Sequence, residues 1–230
     1  MGSLVLLHGL GGTGRVWDGW AQPRVAPDLP GHGKAESQSR YSFESMAAGV
    51  AATLPVRRGL VVVGHSLGGV VALELASGRY GVQVDRVVAL GVKVSWSADE
   101  LGRAGALAQK PVGWFDSRDE AAARYLKVSG LQGLVDPASD AVDHGLREVD
   151  GRWRLAMDPG TWAVGAPAMG ELIAACQAEV VLARGELDPM NTDAELTALT
   201  GQVVTLKGLG HNAHVEDPSA LDHVHGQAAT

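Results

Sequence analysis

The sequence predicts an α/β protein: a mostly parallel central sheet flanked by helices, with a helical segment inserted into it. Three observations predict this. Short runs of aliphatic and β-branched residues alternate with segments of helical composition, the pattern of parallel strands covered on both faces. One run, Val61-Val62-Val63, stops abruptly at Gly64-His65-Ser66-Leu67-Gly68 and passes directly into a helical stretch. From residue 96 to about residue 165 the strand signal lapses, and helix-type composition takes over.

The elements follow in order. Leu4-Val5-Leu6-Leu7 reads as the first strand and runs into His8-Gly9-Leu10-Gly11-Gly12-Thr13-Gly14, too glycine-rich for regular structure. Its glycines let backbone approach something closely: a phosphate, as in a P-loop, or a tetrahedral oxyanion. There is no Gly-Lys-Ser/Thr to support the P-loop. Arg15 to Trp20 looks helical, and Arg24-Val25-Ala26 is a short strand leading into the turn Pro27-Asp28-Leu29-Pro30-Gly31-His32-Gly33. Asp28 and His32 resemble a catalytic pair, but no nucleophile lies beside them in sequence, and a structural role is favoured. Ser42 to Leu54 reads as a helix with Phe43, Met46, Ala47, Val50 and Leu54 on one face, closed by Pro55.

Val61 to Gly68 then makes a strand, a tight turn and a helix over Leu67 to Leu75. That combination is a nucleophile elbow, in which small neighbours permit a strained serine backbone and the hydroxyl projects above the sheet. The amide of Leu67 opens the helix, where unpaired N–H groups favour negative charge. Arg86 to Gly91 is the next strand.

The insertion of roughly seventy residues, 96–165, is too long for a plain loop and reads as a helical cap, leaving residues 1–95 and 166–230 as the core. Its helices are expected at Ala98 to Gln109, Ser117 to Val128 and Pro137 to Val149. Trp96, Trp114, Trp153 and Trp162 fall within it, four of the six tryptophans in the chain. Most would pack the cap; Trp96, Trp114 and Trp162 are candidates to shape a substrate pocket. Beyond it come a helix at Ala168 to Ala175, a strand at Glu179 to Arg184, and the capping box Thr192-x-x-Glu195 opening a helix to Leu199. A last strand, Gln202 to Leu206, runs into Gly208-Leu209-Gly210-His211, and a helix is expected from Pro218 to Val224.

Composition removes several classes of function. The 230 residues are 46% hydrophobic and 20% charged, as in a globular rather than a disordered chain. The net charge of -7, with no basic run, argues against a nucleic-acid partner. The single cysteine, Cys176, excludes an intrachain disulfide and reads as a small buried hydrophobe. Leu4 to Leu7 is too short for a signal-peptide core or a membrane span, so a cytoplasmic protein is expected.

Three residues suited to chemistry follow three different strands: Ser66, Asp188 and His211. Sites in open parallel sheets form at the carboxyl ends of strands, so the three can meet. The order serine, acid, histidine is that of the α/β-hydrolase fold. The chain resembles that superfamily through His8-Gly9-Leu10-Gly11-Gly12, Pro27-Asp28-Leu29-Pro30-Gly31-His32-Gly33, Gly64-His65-Ser66-Leu67-Gly68-Gly69, Gly185-Glu186-Leu187-Asp188 and Gly210-His211. The resemblance implies that Leu10 supplies a second oxyanion amide beside that of Leu67, and that the usual first two strands are missing ahead of Leu4.

Acyl-transfer chemistry assigns the roles. Ser66 attacks, His211 takes and returns the proton, and Asp188 holds the imidazole and stabilises its charged form. His214 competes with His211, but Gly210 and the loop position favour His211, and the resemblance agrees; it also favours Asp188 over Glu186. A metal held by His214 with Glu216 or Asp217 lacks any supporting motif, and no cofactor is expected. Gly9, Gly11 and His65 are further candidates around the substrate, with His8 and His65 orienting the loops. His32, His144, His223 and His225 read as surface or structural residues.

The expected activity is hydrolysis of small or medium carboxylic esters, lactones or thioesters through an acyl-enzyme. A serine nucleophile speaks against dehalogenases and epoxide hydrolases. Asn212 after the histidine, and Val70-Val71 after the elbow glycines, weaken a carbon–carbon bond hydrolase and a menaquinone-pathway synthase. A slow-turnover receptor for a small ligand is the alternative of a different class. The acidic charge discourages strongly anionic substrates unless the cap presents Arg103, Arg118 or Arg124. Oligomeric state is not legible.

Overall fold

A computed structural model describes residues 3–20, 23–221 and 224. Six strands form one sheet: β1 (Ser3–Leu7), β2 (Arg24–Val25), β3 (Leu60–His65), β4 (Val84–Leu90), then β7 (Glu179–Gly185) and β8 (Val203–Leu206) later in the chain. Their order is β2-β1-β3-β4-β7-β8, and every pairing in it is parallel. The expected α/β architecture is therefore present.

Strand side chains point to alternate faces, so one apolar run feeds two cores. Val5, Leu7, Val62, Val87 and Leu182 pack with α1 (Phe43–Thr53), α2 (Leu67–Leu75) and α6 (Met169–Ala175). Leu4, Leu6, Val63, Val88 and Val181 turn the other way, onto Trp17, Trp20, Ala213 and Leu221. Helix ends fall where capping chemistry puts them. Ser42 and Ser45 cap α1 reciprocally, and Thr192 and Glu195 do the same for α7 (Asp193–Thr197).

Between β4 and β7 the chain leaves the sheet. It builds α3 (Ala98–Ala108), α4 (Arg118–Ser129), α5 (Asp140–His144) and a two-stranded antiparallel hairpin, β5 (Leu146–Val149) with β6 (Arg152–Leu155). The hairpin corrects the expectation of a helix from Pro137 to Val149. Asp150 (φ 51°) and Gly151 (φ 77°) make the tight turn, with positive φ at both central residues matching strand twist. Arg15 to Trp20 is likewise shorter than expected, a 3-10 turn at Gly14–Trp17. The unforeseen α8 (Ala213–Glu216) precedes a 3-10 turn at Pro218–Leu221; the rest of the expected final helix, with His223 and His225, lies largely outside the described residues.

This segment has its own small core of Ala121, Ala122, Tyr125, Leu126, Leu131 and Val142. It is stitched to the loop after β2. His144 Nε2 lies 2.8 Å from Asp28 Oδ2, the Tyr41 hydroxyl donates to Asp158 Oδ2 at 2.8 Å, and Gly33 N–H donates to Ala156 O at 2.7 Å. Asp28 and His144 are thus structural partners, and His32 is buried with Nδ1 3.2 Å from Pro30 O. Among the described residues no helix is long and apolar enough to cross a membrane.

Candidate active site

The site forms at the carboxyl edge of the sheet, where β1, β3, β4, β7 and β8 end. β3 delivers Ser66 into a turn with φ 50° and ψ −115°, a conformation few side-chain-bearing residues adopt. It is held there at both ends: Ser66 N–H donates to Leu90 O at 2.8 Å, and its carbonyl accepts from Gly69 and Val70. A side chain at Gly64 would run into the Gly68 backbone, and one at Gly68 into the Leu7 carbonyl. The Gly-x-Ser-x-Gly spacing is the space that β1, β3 and α2 leave for the turn.

The glycine loop after β1 lies against this turn. A Cβ on Gly9 would stand 2.7 Å from His65 Nδ1 and 3.3 Å from Ser66 Cβ, and one on Gly11 would stand 2.7 Å from Val128 Cγ1. Both glycines are buried, so they shape the contact between loop, elbow and α4. His8 fixes the loop. Leu29 N–H donates to its Nε2 at 2.9 Å, leaving Nδ1–H to donate to Gly9 O at 2.8 Å. The Leu10 and Leu67 amides are in no backbone hydrogen bond among the described residues.

β7 and β8 bring the acid and the histidine together. His211 Nδ1 is 3.0 Å from Asp188 Oδ2, and the Asp188 carboxylate is fully buried. Its other oxygen accepts the Met190 N–H at 2.9 Å, while the Arg184 guanidinium braces the turn by donating to Asp188 O at 2.8 Å. The Ser66 hydroxyl, half-buried, makes no hydrogen bond among the described residues.

Sequence reasoning missed two supporting residues. Gly91 follows β4 with φ 62°, and a Cβ there would lie 3.2 Å from His211 Nδ1 and 3.3 Å from Asp188 Oδ2. Asn191 ties the acid turn to β4: its side-chain amide donates to Val92 O and its carbonyl accepts from Val94 N–H. The signal for both was position, a glycine at a strand end and an amide three residues after the acid.

Two further histidines near the site, His65 and His214, are buried. His65 is 4% exposed, with its ring 4.7 Å from that of His211 and 4.2 Å from that of His214. Burial, with His214 and His211 beside it, holds His65 well below the usual histidine range. His214 packs on Trp17 at 4.4 Å, and burial, with His211 and His8 nearby, brings it down to about 3. His214 therefore sits behind the site as a neutral packing residue. Among the described residues no group of three or more His, Cys, Asp or Glu side chains could hold a metal ion. Cys176 is half-buried, and burial pushes its thiol up.

The three tryptophans separate. Trp162 lines an apolar cavity of about 180 Å³ with Phe115, Val128, Leu155 and Met157. Trp114 lines a more open hollow beside Arg154 and Asp158. Trp96 is exposed and stacks under the Lys93 ammonium at 5.5 Å.

The model of the alpha/beta hydrolase family matches residues 4–223. A lipase of Mycobacterium tuberculosis, LipV, is 31% identical over 166 residues, covering 67% of this chain and 62% of its own length. A 2-succinyl-6-hydroxy-2,4-cyclohexadiene-1-carboxylate synthase of Yersinia enterocolitica is 32% identical over 108 residues, 44% of this chain and 39% of that protein. The matches therefore span less than two thirds of these relatives' lengths. Among solved structures, an esterase of Mycobacterium tuberculosis superposes with a TM-score of 0.74 at 26% identity, covering 97% of this chain and 83% of the other.

Proposed function

The chain belongs to the alpha/beta hydrolase family, and from that premise we propose that it is a serine hydrolase of carboxylic esters working through an acyl-enzyme on Ser66. The observation that carries the proposal is the 3.0 Å contact of His211 with the buried Asp188 carboxylate, with the His211 ring 4.7 Å from that of His65, the residue before a serine in strained backbone. Likeness to a lipase and an esterase supports hydrolysis as the reaction class.

With Nδ1–H donated to Asp188, the His211 ring presents Nε2 as a base. It accepts the Ser66 proton as the hydroxyl attacks the ester carbonyl; apo sites commonly tighten this contact only when substrate is bound. The Leu10 and Leu67 amides donate to the developing oxyanion, each worth about 3 kcal/mol. The proton passes to the departing alkoxide, and water then cleaves the acyl-enzyme by the same path in reverse. Residues 96–165 serve as the cap that shapes the pocket over Ser66. Small or medium esters, lactones and thioesters all fit this chemistry, and a cytoplasmic setting is the one we favour.

The likeness to the Yersinia synthase favours a second reading, a lyase using His211 to move a proton without acylating Ser66. One experiment separates the two. A fluorophosphonate should label Ser66 covalently, and the wild-type chain should hydrolyse p-nitrophenyl butyrate while Ser66→Ala does not. Hydrolysis that survives in Ser66→Ala would overturn the proposal.

A further inference from the structure

We propose that Asn212 is a positioning residue that ties the orientation of His211 to the seat of the cap; this rests on the reading of His211 as the base. Asn212 directly follows His211 and is 6% exposed. Its side-chain amide crosses to the segment 96–165 and donates to Gly130 O at 3.0 Å, 82 positions away. A carbonyl only accepts, so Asn212 turns its NH₂ group, not its oxygen, toward Gly130.

The side chain is used unusually for its place. Asn212 stands at the N-cap of α8, where an asparagine oxygen commonly accepts a helix N–H, yet it makes no such bond. Reaching Gly130 takes the place of capping α8. Gly130 fits the contact from the other side. It ends α4 in left-handed backbone, φ 72° and ψ 15°, and a Cβ there would stand 3.0 Å from Asn212 Nδ2.

The tie reaches His211 because the loop carrying both residues is closed on itself. Gly210 N–H donates to Glu216 Oε2 at 2.7 Å, and the Val215 and Glu216 N–H groups donate to Asn212 O at 2.8 and 3.0 Å. Residues 210–216 therefore hold one shape, and a displacement of Asn212 carries the His211 backbone with it. Val215 of the same turn packs against the small core of the cap. The same end of α4 meets the other half of the site, for Val128 packs on Gly11, the residue after Leu10. One turn of α4 thus touches the loop of the proposed base and the loop of the proposed oxyanion amide. A cap displaced from this seat breaks the Asn212 bond and loosens the base loop on that side.

Variants on both sides of the bond test this. Asn212→Leu keeps the size of the side chain and Asn212→Ala does not; both remove the donor. In both, kcat on p-nitrophenyl acetate and butyrate should fall about fivefold, the worth of one ordinary hydrogen bond, while KM holds. The fall should be equal for the two esters, since a base serves every acyl group alike. A loss that grows with acyl length, one carried by KM, or a Leu variant with wild-type kcat would make Asn212 a packing residue and overturn the proposal. Gly130→Ala disturbs the contact from the cap side. It should lower kcat in the wild-type chain and hardly at all in Asn212→Ala, although left-handed strain lowers the melting temperature in both. Additive kcat losses would mean that the two residues do not act through one contact, and the proposal fails. Hydrogen exchange reads the tie without turnover: Gly130→Ala should speed exchange over residues 210–216 and leave β3 as it is. Unchanged exchange over 210–216 would also refute the tie. A wild-type chain that hydrolyses neither ester, beside faster exchange in Gly130→Ala, would remove the reading of His211 as the base of an esterase and leave the tie between cap and loop standing.

Discussion

His65 holds the backbone of His211: its Nε2 lies 2.9 Å from the His211 carbonyl. A carbonyl only accepts, so the ring must be the Nε2–H tautomer and must donate. Burial beside His214 and His211 keeps that ring neutral. The residue preceding the proposed nucleophile thus positions the loop of the proposed base, across 146 residues of sequence.

His65→Leu is expected to leave the His211 carbonyl without its partner, costing about 1–3 kcal/mol of stability. The turnover number should fall more than KM rises, since the loop carrying His211 loses its anchor. His65→Gln, whose amide can still donate, should recover part of both. Thermal unfolding and steady-state kinetics on the three proteins check this; a Leu variant with wild-type turnover would remove the positioning role.

Ser66 gives a sharper stability test. Its φ of 50° and ψ of −115° cost a side-chain-bearing residue about 1–3 kcal/mol. Ser66→Gly should therefore be more stable than Ser66→Ala by about 1 kcal/mol or more, although both should lose ester turnover. Denaturant unfolding of the pair decides it, and equal midpoints would mean the turn stores no strain.

Gly91 clears the space in which His211 meets Asp188. Gly91→Ala would put a methyl group 3.2 Å from His211 Nδ1 in a backbone with φ 62°. We expect a loss of about 1 kcal/mol in stability and a larger fractional loss in the turnover number, as the imidazole and the carboxylate are pushed apart. If turnover holds while stability falls, the pair tolerates the methyl group and Gly91 serves only the turn.

How much of this was legible depended on the range of the interaction. The sheet strands and α2 could be read because each announces itself locally, as a β-branched run or as helix formers after Ser66. The β5–β6 hairpin escaped because Leu146 to Leu155 mixes arginine and glutamate into its alternation, although Asp150-Gly151 is a hairpin signal. The strand-end positions of Ser66, Asp188 and His211 could be read, because open parallel sheets gather their sites there. The partners of the supporting residues could not. That His65, expected to orient the loops, acts on His211, Asn191 on Val92 and His144 on Asp28 rests on contacts between residues about a hundred or more positions apart, and nothing local names the partner.

The buried histidines set the acid limit of the fold. His214 titrates at about 3 in the folded protein, because burial, with His211 and His8 nearby, disfavours its charged form. The unfolded chain protonates the same ring near ~6.5, so below that pH the unfolded state binds the extra proton and folding loses stability. Each such ring contributes a slope of about 1.4 kcal/mol per pH unit between the two values. His32, also brought down to about 3 by burial with His8 beside it, adds to it. His214→Phe keeps an aromatic ring against Trp17, removes an Nδ1 that has no hydrogen-bond partner, and cannot titrate. Unfolding free energies measured between about pH 6 and pH 4.5, above the ordinary carboxylate range, should therefore fall less steeply for the variant, by about 1.4 kcal/mol per unit. Parallel curves for the two proteins would mean that His214 is protonated in the fold.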